Sequence, residues 1–135
     1  MRGEERNLFV YGTLMVPAVM QAVTGRSFRS VPATLGGYAR YFIKRQVYPG
    51  IIARENFSVD GLLYYAIDAE CMQRLDIFES EVYRRSKVLV KLADGSEEDA
   101  FAYIVSPQFE HLLSGNSWDL EQFKQQHLPR YLAGI

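Results

Sequence analysis

The spacing of apolar positions changes along the chain, and each change marks an element. Asn7-Leu8-Phe9-Val10-Tyr11-Gly12 is a short apolar run closed by glycine, the pattern of a first strand. A short helix is predicted from about Pro17 to Val23, because proline suits a first helical position and Thr24-Gly25 suits a stop. Residues 31–66 read mainly as strands and turns, punctuated by Gly36-Gly37 and Pro49-Gly50. Aromatic residues recur there at Tyr38, Tyr41, Phe42, Tyr48, Tyr64 and Tyr65, and Val59 to Ile67 is the clearest strand. Asp68 has the character of an N-cap and Glu70 that of a first-turn acid, opening a helix that runs to about Glu79. Tyr83 to Leu92 and Glu97 to Val105 are strand-like and joined through Asp94-Gly95, a hairpin signal. Pro107 to Leu113 suits a short helical turn. Residues 117–132 read as one amphipathic helix capped by Ser117, with Leu120, Phe123 and Tyr131 on one stripe. This order defines an α+β (mixed α/β) domain and leaves open how its sheet closes.

Composition narrows the function classes. The 135 residues suit a single domain, 1–135, and 48% hydrophobic residues supply a core without disulfide staples. Fifteen basic and sixteen acidic residues leave a formal charge of −1, which argues against a nucleic-acid or anionic-membrane binder held by bulk electrostatics. No apolar run approaches the ~18 residues of a membrane span. The charged start, Met1 to Asn7, is unlike a signal peptide, so the expectation is a soluble, cytoplasmic domain. One cysteine excludes an internal disulfide framework, and with two histidines it leaves little for a zinc site. Oligomeric state is not legible.

Two features carry candidate chemistry. On a projection of about 100° per residue, Cys71, Met72, Leu75 and Phe78 form the apolar arc of the helix from Asp68 to Glu79. Glu79 falls inside that arc, with Asp76 just outside it. A carboxylate on a buried face is either paired with a cation or desolvated, and desolvation raises its pKa toward general acid–base use. The alternatives are a Glu79 that reaches solvent from the last turn, or one paired with Arg84 or Arg85. The second feature is Tyr11-Gly12-Thr13-Leu14, a strand end whose successive backbone N–H groups form a nest for a carboxylate or oxyanion, or else an ordinary strand-to-helix turn. Cys71 reads as a small buried hydrophobe. His111 and His127 read as surface residues, His127 with an alternative place near the apolar stripe. Arg40, Lys44 and Arg45 form a basic cluster that is either a solvated strand face or an anion-binding pocket wall. Trp118-Asp119 reads as the anchor of the last helix.

Phe9-Val10-Tyr11-Gly12-Thr13-Leu14, then Leu75-Asp76-Ile77-Phe78-Glu79, then Tyr83-Arg84-Arg85, resembles the γ-glutamylcyclotransferase-like superfamily. That pattern is Tyr-Gly-Ser/Thr-Leu, Leu-Asp-x-x-Glu and Tyr-x-Arg. Tyr48-Pro49-Gly50-Ile51 and Val59-Asp60-Gly61-Leu62 are similar to the same family, and the likeness covers roughly residues 7–105. Trp118 to Phe123 is similar to the branch that includes the plant avirulence-induced-gene proteins. One position departs, since many members carry glycine after the catalytic glutamate where this chain has Ser80.

The resemblance implies a mixed β-barrel flanked by helices with a pocket at one barrel end. It also implies an acyltransferase that cyclises a γ-glutamyl amine or peptide to 5-oxoproline and frees the amine. No metal, nucleotide or other cofactor is required for that reaction. It places Glu79 as general acid/base and Tyr11, Gly12, Thr13, Leu14 and Tyr83 at the substrate. Tyr83 and the aromatics of residues 38–48 are expected to shape the pocket. The partner is then a small-molecule γ-glutamyl substrate, with neither nucleic acid nor membrane. The alternative function is a binding module that holds a small carboxylate on the same fold without turnover.

Overall fold

The computed structural model describes residues 5–135, so the start of the charged segment, residues 1–4, lies outside the described residues. Five strands close into a barrel in the order β1-β3-β2-β4-β5. They are β1 (Arg6–Val10), β2 (Ser30–Phe42), β3 (Pro49–Ile67), β4 (Tyr83–Leu92) and β5 (Glu97–Val105). Four helices accompany them: α1 (Pro17–Thr24), α2 (Ala69–Glu79), α3 (Leu120–Gln126) and α4 (Leu128–Ala133). Two 3-10 turns, Thr13–Met15 and Pro107–Leu112, complete the elements. All strand pairings are antiparallel except β1 with β5, where Leu8 faces Phe101 and the barrel closes. No helix among the described residues is long and apolar enough to cross a membrane.

Local sequence explains most boundaries. Pro17 stands in the first turn of α1, and Gly25 ends it in the left-handed conformation (φ 79°), its N–H donating to the Gln21 carbonyl at 2.7 Å. Asp68 caps α2 by accepting from the Cys71 N–H at 2.8 Å. The β4–β5 turn is held by Asp94, whose Oδ1 accepts from the N–H and hydroxyl of Ser96.

The sequence reading needs two corrections. Gly36-Gly37 does not end a strand: β2 and β3 form one long hairpin, and the pairing shifts register between Gly36 and Tyr38 as a bulge. The single helix expected over 117–132 is two helices. Asp119 rather than Ser117 caps α3, accepting from the Gln122 N–H at 2.9 Å. His127 stands between α3 and α4, and Pro129, in the first turn of α4, cannot donate a backbone N–H to continue α3.

Alternation along β1 sorts the core into two layers. Phe9 and Tyr11 join Leu35, Ile51, Leu63, Val90 and Ala102, all strand-borne or adjoining a strand, inside the barrel. Leu8 and Val10 point the other way, onto Val19, Met20, Met72, Leu75 and Phe123 of the helices. Trp118 is 3% exposed and its Nε1 donates to the Val47 carbonyl at 2.8 Å, so it does anchor the C-terminal segment against the barrel. Cys71 is buried in the helix-facing layer, and desolvation pushes its thiol up to about 11, as befits a packing residue.

Candidate active site

The end of β1, the end of α2, the start of β4, one residue of β5 and one of α4 surround a cavity of about 200 Å³. That volume is small for a ligand site and suits a metabolite fragment rather than a polymer. Its walls include Tyr11, Gly12, Thr13, Leu14, Glu79 and Tyr83, so every site residue named from the sequence lines this one space. Phe9, Tyr48, Phe78, Tyr103 and Tyr131 complete the aromatic part of the lining.

The turn at Tyr11–Leu14 is held from several sides. The Tyr11 hydroxyl donates to the Tyr103 carbonyl at 2.6 Å. The Leu14 carbonyl accepts from the Tyr64 hydroxyl at 2.9 Å, and Thr13 Oγ1 lies 3.1 Å from the Tyr131 hydroxyl. Gly12 is fixed by close approach, since a Cβ there would lie 2.9 Å from both Cγ and Cδ of Pro49, a ring that cannot swing away. Gly12, Thr13 and Leu14 occupy the start of a 3-10 turn, where N–H groups have no acceptor within the turn.

Glu79 is the last residue of α2 and, among the described residues, the only carboxylate of the lining, which includes no described Lys, Arg or His. It is half-buried, and most of the residues that share the cavity with it are aromatic or aliphatic. Desolvation therefore pushes its pKa from 4.5 up to about 8. The pairing of Glu79 with Arg84 or Arg85 does not form, because those arginines are engaged elsewhere or exposed, and Glu79 is half-buried rather than fully solvated. Arg85 Nε pairs with Asp76 at 3.3 Å and stands over the Phe101 ring, while Arg84 is exposed. Asp76 also accepts from the Tyr103 hydroxyl at 2.7 Å, which makes it a tie between α2 and β5.

The lining tyrosines are poor acids. Burial raises the pKa values of Tyr11, Tyr48, Tyr83 and Tyr103, with Glu79 adding to the rise, and pushes Tyr131 up to about 12. The Tyr83 hydroxyl donates to the Pro49 carbonyl at 2.7 Å. Glu79 is thus the group, among the described lining residues, whose pKa is shifted toward neutral pH.

Ser80 follows with φ 69° and ψ −173°, a region populated almost only by glycine. The Ser80 carbonyl then accepts from the Tyr83 N–H at 3.4 Å, returning the chain to the cavity. This strained residue is the position at which the sequence departs from the family pattern. Ser80→Gly is expected to stabilise the fold by roughly 1 kcal/mol, raising Tm by about 3–5 °C. A fall in Tm on thermal unfolding would mean that the serine side chain supports the turn.

Other expectations fare differently. Of the residues 38–48, Tyr48 lines the cavity, whereas Tyr38 borders a separate depression beside Arg84 and Glu110, and Tyr41 accepts a hydrogen bond from Arg54. Lys44 and Arg45 are exposed, and Arg40 turns to the Tyr11 carbonyl, so the basic cluster is not a cavity wall. His111 is exposed, and His127 is half-buried beside the Phe123 ring. Among the described residues no group of three or more His, Cys, Asp or Glu is placed to hold a metal ion. Apolar periodicity is the only sequence signal at Tyr103 and Tyr131, and it reads as core rather than as pocket.

The described residues thus form a closed five-stranded barrel with helices outside and one desolvated glutamate in an end cavity. The chain belongs to the family described as gamma-glutamyl cyclotransferase, AIG2-like, whose profile matches residues 8–120. It is 34% identical over 128 residues to AIG2-like protein D of Arabidopsis thaliana, covering 93% of this chain and 84% of that one. Protein AIG2 C of the same plant is 29% identical over 129 residues, covering 96% and 78%. Among solved structures, the solution structure of an Arabidopsis thaliana protein superposes with a TM-score of 0.74 at 27% identity, covering 96% of this chain and 87% of that one. A structure described as gamma-glutamyl cyclotransferase shares the fold, with a TM-score of 0.67 at 18% identity over 97% of this chain and 86% of its own.

Proposed function

We propose that the protein is a γ-glutamyl cyclotransferase that converts a γ-glutamyl amine or peptide to 5-oxoproline and free amine, with Glu79 as general acid/base. The observation that carries this reading is the unpaired, desolvated Glu79 facing the Tyr11–Leu14 turn across one small cavity. Family membership supports it.

The reaction is an internal acyl transfer. The substrate's α-amino nitrogen attacks its own γ-carbonyl carbon, a C–N bond forms to close the five-membered lactam, and the C–N bond to the leaving amine breaks. Nucleophile and electrophile are already tethered, so the protein's task is to fold them together. The small cavity, walled by Phe78, Tyr83 and Tyr131, favours the folded conformer. Two protons leave the attacking nitrogen, which starts as an ammonium group; Glu79 takes them in turn and passes them to the leaving nitrogen, which departs as an ammonium ion, so the carboxylate is regenerated without water or a co-reactant. Backbone N–H groups of the Tyr11–Leu14 turn face the oxygen on which negative charge develops.

The raised pKa suits both halves of this cycle, because a group near 8 is present in each protonation state around neutral pH. The productive complex holds one proton shared between Glu79 and the substrate amine. The expected kcat/KM profile is therefore bell-shaped, with one limb at about 8 from Glu79 and the other from the substrate ammonium group. A limb near 4.5, the ordinary carboxylate value, would contradict the desolvated acid. Turnover is read as 5-oxoproline release. Thermal stabilisation by γ-glutamyl compounds without product would instead identify a binding module.

A further inference from the structure

Behind the cavity wall lies a cation that the mechanism above leaves unused. Arg40, on β2, donates from Nη1 to the Tyr11 carbonyl at 2.7 Å and to the Asp60 carbonyl at 3.2 Å. Its guanidinium also stands 5.5 Å from the Trp118 ring centroid. Trp118 is itself pinned by Val47 and packs on Phe123, with ring centroids 5.8 Å apart. Arg40 is therefore clamped between the C-terminal segment and the turn, and it does not line the cavity. Burial lowers its pKa, while Asp60, Asp119 and Tyr11 act in the opposite direction, and an arginine so placed stays charged.

The geometry of one peptide unit links this cation to the site. The described residues contain no cis peptide bonds, so the Gly12 N–H points opposite to the Tyr11 carbonyl. With the carbonyl drawn to Arg40 outside the cavity wall, the N–H is turned the other way. It donates to no acceptor among the described residues, and Gly12 lines the cavity. A charge-assisted bond to a carbonyl also polarises its amide, making the N–H at the far side a stronger donor.

We propose that Arg40 is a positioning residue: its bond to the Tyr11 carbonyl orients and polarises the Tyr11–Gly12 peptide so that the Gly12 N–H is the donor presented to ligand oxygen in the cavity. The proposal rests on the reading above, in which that oxygen belongs to the γ-carbonyl under attack. Trp118 has a part in it as the aromatic face that holds the guanidinium in place. The C-terminal segment thereby supports the site without touching it.

The test combines kinetics with amide NMR on the full chain. Arg40→Met keeps a long apolar stem against Trp118 and removes the charge, while Arg40→Lys keeps the charge and one donor direction. In Arg40→Met, kcat is expected to fall about 10–100-fold, somewhat less than loss of a whole oxyanion donor, with KM changed less than about threefold. The Gly12 amide proton is expected to move upfield and to lose its response to added 5-oxoproline, while the distant Gly95 amide stays in place. Arg40→Lys is expected to recover part of both. A folded Arg40→Met with an unmoved Gly12 amide, or with wild-type kcat, overturns the proposal. So does an equal loss in both variants without a Gly12 shift, since that is the mark of a packing residue. Should Arg40→Met fail to fold, Arg40→Lys against wild type decides by the same Gly12 shift and its response to 5-oxoproline. If wild type releases no 5-oxoproline from any γ-glutamyl compound, the functional reading fails. The Gly12 shift then decides the role of Arg40 alone: movement supports it and its absence overturns it.

Discussion

Glu79→Gln is expected to lower kcat by about 10²–10⁴-fold while leaving the fold intact, the range that a positioned general acid/base contributes. The amide matches the carboxyl group in size and can still accept and donate hydrogen bonds, but it cannot exchange a proton with the substrate nitrogen. No neighbour can substitute for it, because the other titratable lining residues are tyrosines with pKa values raised by burial. Glu81→Gln is the matched control, and a loss of less than about twofold is expected there. The chain leaves the helix at Ser80, and Glu81 stands exposed in the turn that follows. Steady-state rates with circular dichroism on both variants separate chemistry from folding. Full activity in Glu79→Gln would sink the mechanism, and equal losses at both positions would remove Glu79's special place.

Glu79 also gives stability a distinct pH dependence. Its pKa is raised in the folded chain, from 4.5 to about 8, so its effect has the opposite sign to that of a salt-bridged carboxylate. Below pH 4.5 the group is protonated whether folded or unfolded and exerts no pull. Between that value and about 8 the unfolded chain releases the proton while the folded chain keeps it, and stability falls as pH rises. Above about 8 both states are ionised and the decline from this group ends. The slope is at most about 1.4 kcal/mol per pH unit for one proton. Relative to wild type, Glu79→Gln is expected to be equally stable near pH 4 and clearly more stable at pH 8. Urea unfolding of both proteins across this range measures it, and parallel stability curves would show that Glu79 is not desolvated. The same burial that readies the acid for chemistry thus costs folding stability.

The fold was legible where local chemistry decides it. The cap at Asp68, the turn at Asp94-Gly95 and the stop at Gly25 act within a few residues, and α2, β4 and β5 lie where their patterns place them. Barrel closure was not legible as periodicity, because the pairing of Leu8 with Phe101 joins the two ends of the sheet and leaves no local mark. That closure is what brings Tyr103 to the cavity. Tyr131 escaped for a related reason: its place on an apolar stripe reads as core, and only the packing of α4 beside Thr13 and Phe78 gives it a polar neighbour and a cavity wall. The helical phase of Glu79 did place it on the inner face. Its freedom from Arg84 and Arg85 depended on Asp76 and Phe101 engaging Arg85, which no sequence spacing displays. Arg40 was visible only as one member of a basic cluster, because a carbonyl partner has no sequence signature.

The measurement that tests the central claim most directly is product formation by the purified protein. Wild type and Glu79→Gln are incubated with a mixture of γ-glutamyl amino acids and γ-glutamyl amines, and 5-oxoproline and the freed amine are followed by mass spectrometry. The account predicts 5-oxoproline and one equivalent of a particular amine from wild type, and neither from Glu79→Gln. Absence of product from both proteins, with the folded wild type stabilised by one of the compounds, would contradict it and assign the cavity to binding alone.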